Sequence, residues 1–288
     1  MLPSATILRY ATPLREGGSL PGIVEADDLG TYVAKFTGAG QGAAALVAEV
    51  AVGELARRLG LRMPELVTLE LDAAIGRLEP DPEIQHLLVS SAGSNLGIDF
   101  LPGSVGFEPT VFPVDASEAD LVMWLDAFTF NVDRTWRNPN LLVWHGDLWL
   151  IDHGAALVWQ HGWARAGAST VAAGRVTAAA VTAASGRRLD LSDHVLAGTG
   201  SDLDAASRRA TARLDRDAVE SAVAMVPDEW LAAAADGIDP EAAREAHVRV
   251  LVERLADDGA WLDRRMHSQP TRTTARRGRS GARAEFER

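Results

Sequence analysis

The chain has 288 residues, 47% of them hydrophobic, and a formal net charge of -12, enough material for a substantial core in one large domain or two lobes. The acidic balance argues against membrane-surface or strong nucleic-acid binding, and the absence of cysteine excludes a disulfide framework, a thiol nucleophile and a zinc–thiolate site. The alanine-rich run near 170–185 is broken by Arg175, Thr177, Thr182 and Ser185, too polar for a membrane span, and no basic-then-apolar leader opens the sequence, so a cytoplasmic protein is expected.

In chain order, Thr6–Ala11 and Gly22–Glu25 read as short strands joined by the glycine-bearing link Glu16-Gly-Gly-Ser-Leu-Pro21. A third strand, Thr31–Phe36, carries Lys35. The 28 Lys+Arg residues resolve into 27 arginines and this one lysine. Arginine replaces lysine easily on solvated faces but not where a compact ammonium must fit a tight site. A lone lysine on a strand therefore reads as a site residue.

After Gly38-Ala-Gly-Gln-Gly42 the spacing of Leu46, Val47, Val50, Leu55 and Leu59 predicts a helix over 43–59, stopped by Gly60. Val67–Leu71 and Leu87–Ser90 are expected as strands, and Leu96–Leu101 is a further apolar stretch. Glu118–Phe130 reads as a helix through Leu121, Trp124, Leu125 and Phe128. Leu141–Trp144 and Leu148–Ile151, joined across His145-Gly-Asp147, read as a hairpin. Helices are expected from about 202 to 265, the clearest over 240–262. Residues 268–288, rich in Arg, Ser, Thr and Gly, are expected to be a disordered tail.

Chemistry concentrates around Asp133-Arg-Thr-Trp-Arg-Asn138 and Asp152-His-Gly154. An aspartate and an asparagine five apart on a loop can face one site, and a hairpin can fold a second aspartate beside them. Asn138 and Asp152 are oxygen ligands suited to Mg²⁺, which leaves Asp133 to orient or deprotonate a hydroxyl. This order of parts is the one used in kinase-type phosphoryl transfer. Such sites pair a phosphate-binding lysine with a helix glutamate. Glu54 has Arg57 and Arg58 at i+3 and i+4, whereas Glu49 has no basic helical neighbour and needs a partner from elsewhere. Glu49 is therefore the expected partner of Lys35.

Three other readings compete. Gly38-x-Gly40-x-x-Ala43 fits a dinucleotide-binding fingerprint of an oxidoreductase, although its nearest strand-end acid, Glu70, lies too far on. His145, Asp147, Asp152 and His153 are the residues a metal hydrolase would need. A catalytically inactive nucleotide-binding or scaffold protein would share the kinase-like fold.

The segments Tyr32-Val-Ala-Lys-Phe36, Ala48-Glu49 with Leu59-Gly-Leu61, Asn131-Val-Asp-Arg134 through Asn138, and Ile151-Asp152 resemble the HipA-like kinases, relatives of the phosphoinositide kinases. Thr135 stands where that family commonly has histidine. The resemblance implies a two-lobed α+β, protein-kinase-like fold, with a small β-rich lobe over 1–98 and a mainly helical lobe over 99–267. It implies that Lys35 holds the phosphates of ATP, that Gly17, Gly18 and Ser19 cover them, and that Asp133 is the base. Asn138 and Asp152 would bind Mg²⁺, and a connection near 99–103, including Asp99 and Leu101, would line the adenine pocket (78–80 being the other candidate). The acceptor would be a hydroxyl, of a protein Ser/Thr or a small molecule.

Overall fold

The computed structural model of the chain describes residues 1–14, 20–163, 171–200, 202–235, 237–257 and 259–262. The expected disordered tail and the glycines of the 16–19 link lie outside the described residues. Strands β1 (Ser4–Pro13), β2 (Gly22–Ala26) and β3 (Thr31–Lys35) follow one another antiparallel. Strand β3 pairs with β5 (Gly93–Asp99), β5 pairs with β4 (Leu66–Leu71), and β4 returns parallel to β1. The result is a closed five-stranded barrel.

Side chains alternate along a strand, and on β3 this alternation places the lysine. Tyr32 and Ala34 enter the barrel core with Ile7, Val24 and Leu69, while Val33 packs against a second, larger core. Lys35 shares the period of Val33 and meets helix α1 (Gly42–Leu59). That helix is buried on nearly every side, as an apolar, alanine-rich sequence requires. It ends at Gly60, whose φ of 82° lets its N–H bond the carbonyls of Ala56 and Arg57.

One expected strand is a helix. Leu87–Ser90 forms the end of α3 (Pro82–Ser90), which packs on the short α2 (Ala73–Arg77). The signal was the Asp81-Pro82 start: Asp81 accepts the Glu83 N–H at 2.9 Å, and proline occupies the first turn. Ile84, Leu87 and Leu88 are then buried at helical, not strand, spacing.

After the two-residue strand β6 (Val105–Gly106), α4 (Ala116–Thr129) begins at an Asp115 cap and ends at Phe130 in a left-handed conformation. The expected hairpin is β7 (Leu141–Trp144) and β8 (Asp147–Leu150). His145 and Gly146 both have positive φ, 52° and 87°, which is the backbone of a type I′ turn. The remaining elements are α5 (Gln160–Trp163), the pair β9 (Val171–Ala172) and β10 (Arg175–Val176), and helices α6 (Ala178–Ser185), α7 (Leu203–Thr211), α8 (Arg216–Val223), α9 (Asp228–Ala234) and α10 (Pro240–Ala256). Helix α10 stops at Ala256, short of the expected 262, with Asp257 as its cap.

Two buried polar residues tie α10 into the larger core. Arg254 donates to the carbonyls of Ala127, Ser185 and Arg187 at 2.7, 2.6 and 2.8 Å, so its cation sits at the C-terminal ends of α4 and α6, where helix dipoles favour positive charge. Burial still lowers its pKa to about 9. His247 accepts the Trp159 indole N–H at 3.4 Å and is enclosed, and burial lowers its pKa to about 3. Its pKa is depressed on folding, so between pH 6.5 and 3 the unfolded chain takes up a proton there that the folded chain refuses. Its contribution is full above pH 6.5 and is lost on acidification, at up to about 1.4 kcal/mol per pH unit. Urea midpoints at pH 7.5 and 5.5 should therefore differ more for the wild type than for His247→Phe; an equal difference would clear His247 of this role.

Candidate active site

Three charged side chains from three parts of the chain meet beneath α1. The Lys35 ammonium contacts Glu49 Oε1 and lies 2.7 Å from Asp152 Oδ1. Glu49 is 0% exposed and accepts the His153 backbone N–H on its other oxygen at 2.9 Å. Burial pushes Glu49 up and opposes the charge of Lys35. With Lys35 on one oxygen and an N–H on the other, however, both Glu49 oxygens serve as acceptors, so the ionised carboxylate is the form this geometry satisfies. The two carboxylates raise Lys35 above the ordinary lysine value against that burial, and Asp152 is held below the usual carboxylate range: its burial works the other way but is outweighed by Lys35. Glu54 is spent locally, on Arg58 at 3.1 Å and Arg57 at 3.5 Å.

Backbone geometry sets this meeting point. Asp152 has a φ of 53°, a left-handed conformation that aspartate tolerates better than most residues. At Gly154 a Cβ would lie 3.2 Å from the Ala45 Cβ and 3.3 Å from Glu49 Oε1. Glycine there lets the chain leaving the hairpin lie against α1.

Asp133 and Asn138 face the same cleft as Lys35 and Asp152. Asn138 donates its amide N–H to Asp133 Oδ2 at 2.8 Å. That bond fixes the amide orientation and leaves Asn138 Oδ1 and Asp133 Oδ1 as acceptors without a partner among the described residues. The cleft thus holds one ammonium and several free oxygens. Among the described residues no three His, Asp or Glu side chains converge as a metal cage. A hard cation that keeps most of its water and shares phosphate oxygens needs only two such protein ligands, which fits Mg²⁺.

A match to the HipA-like kinase family spans residues 7–173, more than half of the chain and all of the segments just described. The chain belongs to the HipA-like kinase family. This HipA-like kinase is a phosphotransferase. Its fold is similar to that of a Helicobacter pylori proinflammatory kinase, CtkA, at 13% identity and a TM-score of 0.51, covering 89% of this chain and 96% of that one. A Golgi casein kinase with Mn/ADP bound also aligns, at 13% identity and a TM-score of 0.43, over 91% of this chain and 74% of that one. No curated protein matches the chain.

Two competing readings end here. The Gly38–Gly42 loop of the HipA-like kinase follows a strand whose neighbours are both antiparallel, whereas a dinucleotide fingerprint needs a parallel βαβ unit. The hydrolase cluster is dispersed: His145 is exposed at the hairpin turn, Asp147 pairs with Arg62 at 2.9 Å, and the His153 ring is buried between Arg134 and Met63. Asp99 closes β5 opposite Tyr32, three residues beyond the Leu96–Lys35 pair, and Leu101 is buried just after it. Leu78–Pro80 joins α2 to α3 instead. Gly17, Gly18 and Ser19 lie outside the described residues. No helix among the described residues is long and apolar enough to cross a membrane.

Sequence reasoning passed over two features of the HipA-like kinase. The first turn of α1 borders the cleft through Gln41, Gly42 and Ala45, and no side chain caps it. The signal was the missing Ser, Thr, Asp or Asn before the helix. The second is Arg134, which is enclosed and donates from Nε to Asp126 at 2.7 Å, from Nη1 to the Asn140 and Ile151 carbonyls, and from Nη2 to His153 Nδ1 at 3.1 Å. Since arginine can only donate, His153 Nδ1 is unprotonated and its Nε2–H faces Met63 Sδ. Burial and the neighbouring guanidinium lower the His153 pKa to about 3.

Proposed function

We propose that the protein transfers the γ-phosphoryl group of Mg·ATP to a hydroxyl, with a protein Ser/Thr as the acceptor. The observation that carries this reading is the convergence of Lys35, held by Glu49 and Asp152, with Asp133 and Asn138 on one cleft. Lys35 orients the phosphates as a point charge, and Glu49 fixes where that charge sits. The uncapped first turn of α1 adds backbone donors and a positive dipole end on the same side. Asp133 receives the proton of the attacking hydroxyl while the Asn138 amide holds it in place. The bond from the γ-phosphorus to the bridging oxygen breaks as the bond to the acceptor oxygen forms.

Asn138 and Asp152 would hold the cation, which supplies charge neutralisation on the phosphates when bound. Asp99 and Leu101 flank the adenine, since three residues along β5 carry the chain about 10 Å from the lysine. The division into a small lobe over 1–98 and a helical lobe over 99–267 belongs to the same proposal, with the connection following β5.

Asp152 supplies the anionic part of the cation site, so Asp152→Ala is expected to weaken Mg·ATP binding by at least about tenfold and to leave metal-free nucleotide binding nearly intact. Calorimetric titration with and without Mg²⁺ measures both, and equal Mg·ATP affinity in variant and wild type would sink the assignment.

A further inference from the structure

The loop carrying Asp133 is gripped by a segment that lies outside the family match, which ends at residue 173. His194 reaches Asp126 Oδ2 at 2.9 Å, beside Arg134 Nε on the same oxygen at 2.7 Å, and Asn131 donates to Oδ1 at 3.0 Å. The Leu196 N–H donates to His194 Nδ1 at 3.1 Å, so Nε2 carries the ring proton and donates it to Asp126. Backbone contacts reinforce the grip: Thr135 and His194 form a β-bridge, the Trp136 N–H reaches the Asp193 carbonyl at 3.1 Å, and the Val195 N–H reaches the Arg134 carbonyl at 3.3 Å. Asp126 and Arg134 are essentially unexposed and His194 is 7% exposed, so water does not compete for these bonds.

We infer that His194 is a positioning residue for phosphoryl transfer, holding the Asp133–Asn138 loop through Asp126 and Arg134. The inference rests on the proposed roles of Asp133 and Asn138 but names a part that those roles do not include. Arg134 binds the loop to the hairpin, through the Asn140 and Ile151 carbonyls and His153. His194 braces the shared carboxylate at the same oxygen that Arg134 Nε reaches. Removing that brace takes away one of the two donors on Asp126 Oδ2 and lets the guanidinium, and with it the residue next to Asp133, settle differently. Small displacements of a reacting group cost roughly 10²-fold in rate.

The test compares wild type, His194→Phe and His194→Gln by steady-state kinetics and by hydrogen–deuterium exchange. Phenylalanine keeps the ring volume without the donor, whereas glutamine returns an amide N–H at about the Nε2 position. The expected result for His194→Phe is a kcat lower by about 10- to 100-fold, an unchanged KM for ATP and faster exchange in a peptide covering 131–140. Exchange in peptides from the barrel strands should not change, and glutamine should restore most of both effects. Wild-type kcat in folded His194→Phe, equal losses in kcat and ATP affinity, or a glutamine variant no better than phenylalanine would each overturn the inference. The exchange readout needs no turnover. Faster loop exchange in a chain whose wild type transfers no phosphate would therefore uphold the brace and reject the kinase mechanism, while unaltered exchange would reject the brace alone.

Discussion

Replacing Lys35 by arginine is expected to cut phosphoryl transfer by at least about 10²-fold in a protein that still folds. Lys35 is 8% exposed, its ammonium wedged between a fully enclosed Glu49 and Asp152. A guanidinium keeps the charge and can still pair with Glu49, so the buried carboxylate is not stranded. Its planar fork is larger, however, and must push into the space that phosphates would occupy or displace Asp152. Lys35→Met separates charge from shape: it leaves Glu49 buried without a cation and should cost about 3–5 kcal/mol of stability. Glu49→Gln should show a milder loss of transfer, because the ammonium remains but loses its anchor. Circular dichroism, denaturant midpoints and transfer of labelled phosphate from ATP measure the three effects. An arginine variant with near-normal transfer would mean that no compact ammonium is required.

Asp133→Ala is expected to separate binding from turnover. Among the described residues the Asp133 side chain accepts only the Asn138 amide, and its proposed work is on the acceptor hydroxyl. General-base contributions amount to roughly 10²–10⁴-fold in rate, and transfer should fall by that factor while Mg·ATP affinity measured by calorimetry stays as in the wild type. The loop itself should survive, because the Asp133 carbonyl, which alanine retains, accepts the Thr135 N–H at 3.1 Å and the Asn140 amide at 3.4 Å. A variant that turns over at the wild-type rate would remove Asp133 from the mechanism. Equal loss of nucleotide binding would make it a ligand-binding residue instead.

What could be read from the sequence follows from how locally each feature is encoded. The Lys35–Glu49 contact was legible because elimination worked: one lysine exists, and only one of the two candidate glutamates lacked a helical partner. Asp133, Asn138 and Asp152 were legible because short spacings and a two-residue turn restrict where those side chains can go. The Pro82–Ser90 helix was misread because its apolar residues at 87–89 were weighed without the Asp-Pro start that precedes them. The roles of Arg134 and Arg254 had no local signal. In a chain whose basic residues are nearly all arginine, nothing in the immediate sequence separates a solvated guanidinium from one enclosed by carbonyls. His194 meets Thr135, on a loop about 60 residues away, and only the folded backbone brings the two together. Closure of the barrel by the parallel β1–β4 pair is likewise a long-range event that strand patterns do not encode.

The solitary lysine has a practical consequence for following the molecule in solution. A lysine-specific endoprotease has a single peptide bond to cut in the whole sequence, that between Lys35 and Phe36. That bond lies at the end of β3, with Phe36 enclosed in the barrel core and the lysine side chain beneath α1. A protease needs an extended, accessible strand, so cleavage waits on local opening, and its rate tracks the population of opened molecules when reclosing is fast. Two fragments on a gel would then count how often this strand lets go, with no label introduced and no other site to confuse the reading.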